Sequence, residues 1–272
     1  MKIKAVFIDM DGTLLQKNNE ISPLTLAVIR EIANRGVHVF LATGRHLDIT
    51  LPYHRRLGLK TPLICLNGAG VYDWFSLDPL QLRTIPPSKE LHAALVNKKP
   101  RNMMIHTADS LYCAKEDEIT EGWTAEAKRK PHYIGDLETV EPENILKYSI
   151  RSHERIELPK GIYEKNCNFI RWDDGFELVR KEVSKWSAIE YLLHQYGVSR
   201  QETAAFGDGP NDLEMIRNCG MGVAMGNAIT PLKKAADFIA GDHEEDGLAQ
   251  FLESYILNTP LRSLKNAKPF VV

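Results

Sequence analysis

Short apolar runs that stop at polar turns recur along this chain with helical segments between them, and this alternation restricts the fold more than any other feature. Residues 4–8 read as a buried strand, apolar and partly β-branched, ending in Asp9-Met10-Asp11-Gly12-Thr13. Ser22-Pro23 then marks a helix start, with Leu24, Val28, Ile29 and Ile32 at helical spacing and a stop at Gly36. Residues 37–42 form a second apolar run that closes on Thr43-Gly44-Arg45. A strand, helix and strand completed within so few residues predict a parallel pair. A helix over 47–57 and a strand over 62–66 continue the series to Asn67-Gly68-Ala69-Gly70.

Near Asp78-Pro79 the rhythm changes. A helix over 88–96, strands over 103–106 and 111–114, another helix, then the segment 145–151 and a hairpin of 168–172 with 176–180 around Asp173-Asp174-Gly175 suggest a separate α+β module. Ser184-Lys185 then opens a helix that stops at Gly197. Residues 203–206 form a strand ending in Gly207-Asp208-Gly209-Pro210-Asn211-Asp212, and strands at 222–224 and 238–240 with a helix over 247–257 resume the alternation. The expected fold class is α/β: a doubly wound, Rossmann-like parallel-sheet core from residues 1–81 and 184–272, with an inserted α+β cap domain over 82–183.

Open parallel sheets bind ligands beyond the carboxyl ends of their strands. Asp9 and Asp11, Thr43 and Gly44, Asn67 and Gly68, and Asp208 with Asn211 and Asp212 all fall immediately after expected strands, which gathers them into one site. Period-two alternation points Asp9 and Asp11 to the same side. Two adjacent carboxylates repel, so either a cation sits between them or one holds a proton. Lys185 at a helix start adds a cation suited to phosphate. On composition alone each stretch also reads more plainly: Asp-x-Asp-Gly as a polar turn, Lys185 as solvated, Arg45 as a surface ion pair and His46 as a helix-start residue. The run from Gly207 fails as a dinucleotide fingerprint, because Asp212 stands where the third glycine belongs and puts a negative charge at the pyrophosphate.

The bulk numbers narrow the partners. A formal net charge of -2 over 272 residues gives no basic footprint for nucleic acid or for a membrane surface, leaving a small molecule as the expected partner. Cys65, Cys113, Cys167 and Cys219 have no C-x-x-C spacing and read as structural free thiols. The chain opens on a core strand without a signal-like segment, so the expected location is cytoplasmic.

Asp-x-Asp-Gly-Thr, Thr-Gly-Arg, Asn-Gly-Ala, Ser-Lys and Gly-Asp-Gly-x-Asn-Asp occur here in the order found in the haloacid dehalogenase superfamily. The chain resembles its Cof-type phosphatases, which carry a large α/β (type IIB) cap between the second and third motifs. One departure is that Glu182 and Trp186 flank the Ser-Lys pair where the family usually has glycines. The resemblance implies that Asp9 attacks phosphorus to form an aspartyl-phosphate, while Asp11 protonates the leaving alkoxide and then activates water. It implies Mg²⁺ held by Asp9, the backbone carbonyl of Asp11 and Asp208, with Asp212 beside or within that set. It also implies phosphoryl contacts from the amide of Met10, from Thr43 and Gly44, and from Asn211 and Lys185. The expected substrate is a sugar phosphate or a phosphorylated coenzyme such as pyridoxal 5'-phosphate. A phosphotransferase or phosphomutase using the same intermediate, and a receiver-like phospho-acceptor switch, are the alternatives. Asp109, Ser110, Arg171 and Trp172 are candidate readers of the leaving group, because every phosphate-directed residue lies outside the insert.

Overall fold

In the computed structural model, residues 2–108, 110–140 and 143–257 are described. Asp109 therefore lies outside the described residues. The strands Ala5–Ile8 and His38–Leu41 pair in parallel, as do Ala5–Ile8 and Thr203–Gly207. Met221–Ala224 and Phe238–Ile239 extend the same parallel sheet on the far side of Thr203–Gly207. Every side chain of Ala5–Ile8 is buried, which is how a parallel strand covered on both faces reads in sequence. Phe7 stacks on Phe40 of its neighbour at 4.8 Å between ring centroids.

The helices begin and end where capping chemistry directs. The Ser22 side chain accepts from the Thr25 amide ahead of Pro23–Asn34, which buries Val28, Ile29 and Ile32 against the sheet. His46 is the N-cap of Leu47–Leu57, accepting from the Asp48 amide, so its helix-start reading holds. Ser184 caps Lys185–Tyr196 in a reciprocal box with Ser187, and Gly197 ends that helix in the left-handed conformation. Among the described residues no helix is long and apolar enough to cross a membrane.

The strand expected over 62–66 does not simply continue the parallel series. Leu63–Cys65 touches it through one parallel bridge, Ala42 with Ile64, and then joins Gly70–Tyr72 and Pro79–Leu82 in a separate antiparallel sheet. The left-handed Leu66 and Asn67 turn the chain back there.

A second, six-stranded sheet runs in the order Cys167–Trp172, Gly175–Arg180, Lys147–Arg151, Asn102–His106, Leu111–Cys113, Tyr133–Ile134. All its pairs are antiparallel except the last. Its two faces have different work. Tyr148, Ile150, Met103, Ile105, Phe176 and Leu178 pack with Leu91 and Leu95 of helix Lys89–Asn97 into an apolar cluster. The alternate positions of the same strands, Lys147, Ser149, Arg151, Met104, His106 and Glu177, line a cavity over the parallel sheet.

Candidate active site

The parallel sheet reverses its winding between Ala5–Ile8 and Thr203–Gly207, since the chain proceeds from the first of these to His38–Leu41 on one side and later returns to the other. A crevice at such a switch point is the place where doubly wound sheets take ligands. Asp9 leaves one of these two strands and Asp208 the other. Both line a cavity of about 610 Å³ that also receives Asp11, Gly12, Gly44, Arg45 and Asn211 from below.

Asp9 is 5% exposed, and Lys185 and Asp212 are fully buried. The Lys185 ammonium donates to Asp9 Oδ1 and, at 2.6 Å, to Asp212 Oδ1. Asp212 spends its other oxygen on the amides of Asp208 and Gly209, at 3.0 and 2.9 Å, and so fixes the loop that carries Asp208. Carboxylate oxygens of Asp9, Asp208 and Asp212 lie within 4.8 Å of one another. Burial, reinforced by Asp212, Asp208 and Asp11, pushes Asp9 well above the usual carboxylate range against the pull of Lys185. Burial and the neighbouring Asp212 raise Asp208 to about 7. Crowded, partly dehydrated carboxylates with oxygen donors only are a fit for a hard divalent cation such as Mg²⁺.

Asp11 shares the cavity but stands outside that acidic group. Arg45 forks onto it, Nε at 2.9 Å from Oδ2 and Nη2 at 2.7 Å from Oδ1, while Nη1 reaches Glu126 at 2.5 Å. Arg45, which also reads as a surface ion pair from sequence, thus ties the lower loop to the helix Glu118–Ala127 above it.

Of the remaining expected residues, Gly44 and Asn211 line the same cavity, whereas Met10 and Thr43 are fully buried. Met10 is buried in the core, and its carbonyl accepts the amides of Thr13, Leu14 and Leu15 to make the turn after Asp9. The Thr43 amide is spent on the Ile64 carbonyl at 2.9 Å, and its hydroxyl oxygen accepts from the Arg45 amide at 3.0 Å, which leaves the hydroxyl hydrogen to donate. Asn211 donates to Asn67 Oδ1 at 2.9 Å. Gly12, with φ at +72°, has no room for a side chain, because a Cβ there would come within 2.3 Å of Asp208 Oδ2. Gly68, with φ at +94°, lies against the Ser184 carbonyl, where a Cβ would stand 2.2 Å away. That close approach seats the Asn67 loop on the start of the Lys185 helix. Trp186 packs against the core and Glu182 pairs with Arg180 at 3.0 Å, so replacing the glycines leaves Lys185 between Asp9 and Asp212.

Several cavity residues carried no mark in the sequence. Lys147 donates to Glu177 Oε1 at 2.6 Å and to the Gly44 carbonyl at 2.8 Å, and Asn67 donates to Glu177 Oε2 at 2.8 Å. This buried chain runs from the upper sheet through Asn67 to Asn211. Of the candidate leaving-group readers, Trp172 lines the cavity and overhangs the Gly209 loop. Arg171 does not, because its guanidinium lies 4.7 Å over the Phe169 ring on the opposite face and donates to the Ile156 carbonyl at 3.0 Å. Ser110 closes a turn, its carbonyl accepting from the Thr107 amide at 3.0 Å. A second cavity, about 590 Å³, lies behind the upper sheet beside His92 and Tyr148 and gathers none of these groups.

A model of the family described as haloacid dehalogenase-like hydrolase matches residues 6–252. The pyridoxal phosphate phosphatase of Escherichia coli is 27% identical over 94% of this chain and 100% of its own length. The 5-amino-6-(5-phospho-D-ribitylamino)uracil phosphatase of Bacillus subtilis is 29% identical over 92% of this chain and 96% of its own. A haloacid dehalogenase-like hydrolase of Bacteroides thetaiotaomicron, solved by crystallography, superimposes with a TM-score of 0.77 at 27% identity, covering 93% of this chain and 99% of that one.

Proposed function

The chain belongs to the haloacid dehalogenase-like hydrolases, and from that premise we propose that it is a Mg²⁺-dependent phosphatase of small phosphomonoesters, working through an aspartyl-phosphate on Asp9. The observation that carries this reading is the placement of Asp9 at the switch point, buried, bonded to Lys185 and crowded by Asp208 and Asp212.

In the first half-reaction an Asp9 oxygen attacks phosphorus and the ester P–O bond breaks, while a proton on Asp11 passes to the leaving alkoxide. In the second, the Asp11 carboxylate takes a proton from water, the water oxygen attacks phosphorus, and orthophosphate leaves with Asp9 restored. Lys185, the Thr43 hydroxyl, the amides of Met10 and Gly44, and Asn211 hold the phosphoryl oxygens where charge spreads. Asp9, the Asp11 carbonyl and Asp208, with Asp212 beside them, would hold Mg²⁺, which would supply the positive charge needed to offset repulsion between these carboxylates and an anionic ester. Residues 82–183 act as the cap that selects the alcohol, and residues 1–81 and 184–272 as the catalytic core. The substrates are of the kind the relatives' names describe, phosphorylated coenzymes such as pyridoxal 5'-phosphate, or sugar phosphates.

A panel of phosphomonoesters tests this directly. Continuous release of phosphate with Mg²⁺ and none in excess chelator is the expected result; phosphate isomerised on a sugar, or label held at one per chain, would replace the hydrolase with a mutase or a switch.

The metal assignment carries its own prediction. Asp208 keeps a proton in the native chain between its ordinary value of 3.8 and about 7, where the unfolded chain has lost it. Stability of the metal-free protein therefore falls as pH rises through that window. Asp208→Asn is expected to melt at a higher temperature than the parent in chelator at pH 8, to match it near pH 4, and to gain nothing from added Mg²⁺. Parental Mg²⁺ stabilisation in that variant would take Asp208 out of the metal set.

A further inference from the structure

The hydrogen-bond chain that crosses from the upper sheet to Asn211 has its direction set at one end. Three donors converge on the buried Glu177: the Lys147 ammonium at 2.6 Å and the Ser149 hydroxyl at 3.2 Å on Oε1, and the Asn67 side chain at 2.8 Å on Oε2. Burial pushes the Glu177 pKa up, but Lys147 outweighs that and holds it below the usual carboxylate range. Glu177 is therefore ionised and only accepts. Lys147 is itself anchored by the Gly44 carbonyl at 2.8 Å.

A side-chain amide has one donating and one accepting end, so the charge on Glu177 fixes each asparagine that follows it. Asn67 must turn its NH₂ toward Glu177 and its Oδ1 away. Asn211 meets that Oδ1 at 2.9 Å and has to present its own NH₂. Among the described residues this bond uses one Nδ2 hydrogen of Asn211 and leaves the second to donate into the cavity that Asn211 and Asp9 both line.

Asn67 is not free to leave the chain. Its amide donates to the Thr43 carbonyl at 2.9 Å, its backbone is left-handed with φ at +58°, and its Oδ1 lies so close to Gly44 that a Cβ there would come within 2.9 Å. Its side-chain amide exchanges its two ends in place or not at all.

We propose, resting on the phosphatase reading, that Glu177 is a positioning residue for phosphoryl transfer: through Asn67 it holds Asn211 with an N–H, and not the carbonyl oxygen, toward the phosphoryl group. The upper sheet thereby orients a donor that belongs to the lower loops.

Glu177→Gln reverses the chain while keeping its shape. Lys147 and Ser149 still require an acceptor at the Oε1 end, so the new NH₂ faces Asn67. Both asparagines then turn over, and an oxygen lone pair of Asn211 meets the anionic phosphoryl group. The penalty falls on the part of the substrate that all esters share.

The test measures kcat/KM for p-nitrophenyl phosphate, glucose 6-phosphate and pyridoxal 5'-phosphate, with inhibition by orthophosphate, in Glu177→Gln, in Asn67→Gly and in the double variant. Asn67→Gly accepts the left-handed backbone and leaves the Lys147 and Glu177 pair whole. Glu177→Gln is expected to lower kcat/KM by about 10- to 100-fold, the scale for a misdirected transition-state donor, by the same factor for every ester the wild type hydrolyses, and to weaken orthophosphate inhibition. Asn67→Gly should lose less, because Asn211 is released and not reversed, and adding Glu177→Gln to it should cost nothing further. A purely structural Glu177 would instead lower activity in both backgrounds. Parental kcat/KM in Glu177→Gln, a loss that persists beside Asn67→Gly, or a changed ranking of the esters overturns the assignment. Should Glu177→Gln melt below the assay temperature, Asn67→Gly decides: its loss must disappear in an Asn211→Ala background, and a loss that remains there overturns the assignment equally. If the wild type with Mg²⁺ releases phosphate from none of the three esters, it is the phosphatase reading that falls.

Discussion

Asp9→Asn is expected to yield a folded protein whose turnover has dropped by roughly 10⁴- to 10⁶-fold, the range for loss of a covalent nucleophile. The amide has the shape of the carboxylate but no charged oxygen with which to attack phosphorus. Folding is expected to change little, because two effects oppose: the variant loses the charged partner of Lys185, and it removes a buried negative charge that burial and three neighbouring carboxylates make unfavourable. Asp11→Asn behaves differently. The nucleophile remains while the proton donor and base is gone, so both half-reactions slow and the acylated form persists longer than in the wild type. Thermal melting beside steady-state kinetics separates these outcomes, and an Asp9→Asn variant keeping a tenth of parental kcat would take Asp9 out of the nucleophile's role.

Removing Lys185 should be the most damaging single change to stability. Its ammonium is fully buried and bonded to two buried carboxylates, which push its own pKa up although burial acts the other way. Taking one member from a buried ionic cluster leaves uncompensated charge, at a cost of about 3–5 kcal/mol. Lys185→Met, which keeps most of the side-chain volume, is expected to lose that much in urea unfolding at neutral pH. Combining it with Asp9→Asn should recover part of the loss, since one of the stranded charges is then absent. A loss below about 1 kcal/mol, the worth of an exposed ion pair, would mean that water reaches Lys185 and that the cluster is not closed.

Much of this site was legible because its chemistry sits next to strong local signals. An apolar strand followed at once by Asp9, a capped helix beginning at Lys185, and a strand ending in Asp208 each declare their position within a few residues, and one rule about strand ends brings them together. The upper face was not legible for a specific reason. In Lys147-Tyr148-Ser149-Ile150-Arg151 the polar residues alternate with apolar ones, the pattern of a strand with one face in water. Here the polar face roofs a cavity, and Lys147 and Ser149 are buried as fully as the residues opposite. Glu177, between Phe176 and Leu178, was disguised in the same way. Nothing within a strand distinguishes water from a second sheet across a cleft; the partner, Asn67, lies 110 positions away. The same period shows why Trp172 lines the cavity and Arg171 does not. The strand Pro79–Leu82 escaped notice because its proline opens an exposed edge strand, a place where a missing amide is tolerated.

The central claim is covalent catalysis by Asp9, and acid quenching during steady turnover of a ³²P-labelled phosphomonoester with Mg²⁺ tests it most directly. The account predicts acid-stable, alkali-labile label on the peptide carrying Asp9, present at a constant fraction of the protein while free phosphate accumulates through many turnovers, raised in Asp11→Asn and missing in Asp9→Asn. Sustained phosphate release with no label on the protein in either the wild type or Asp11→Asn would contradict it.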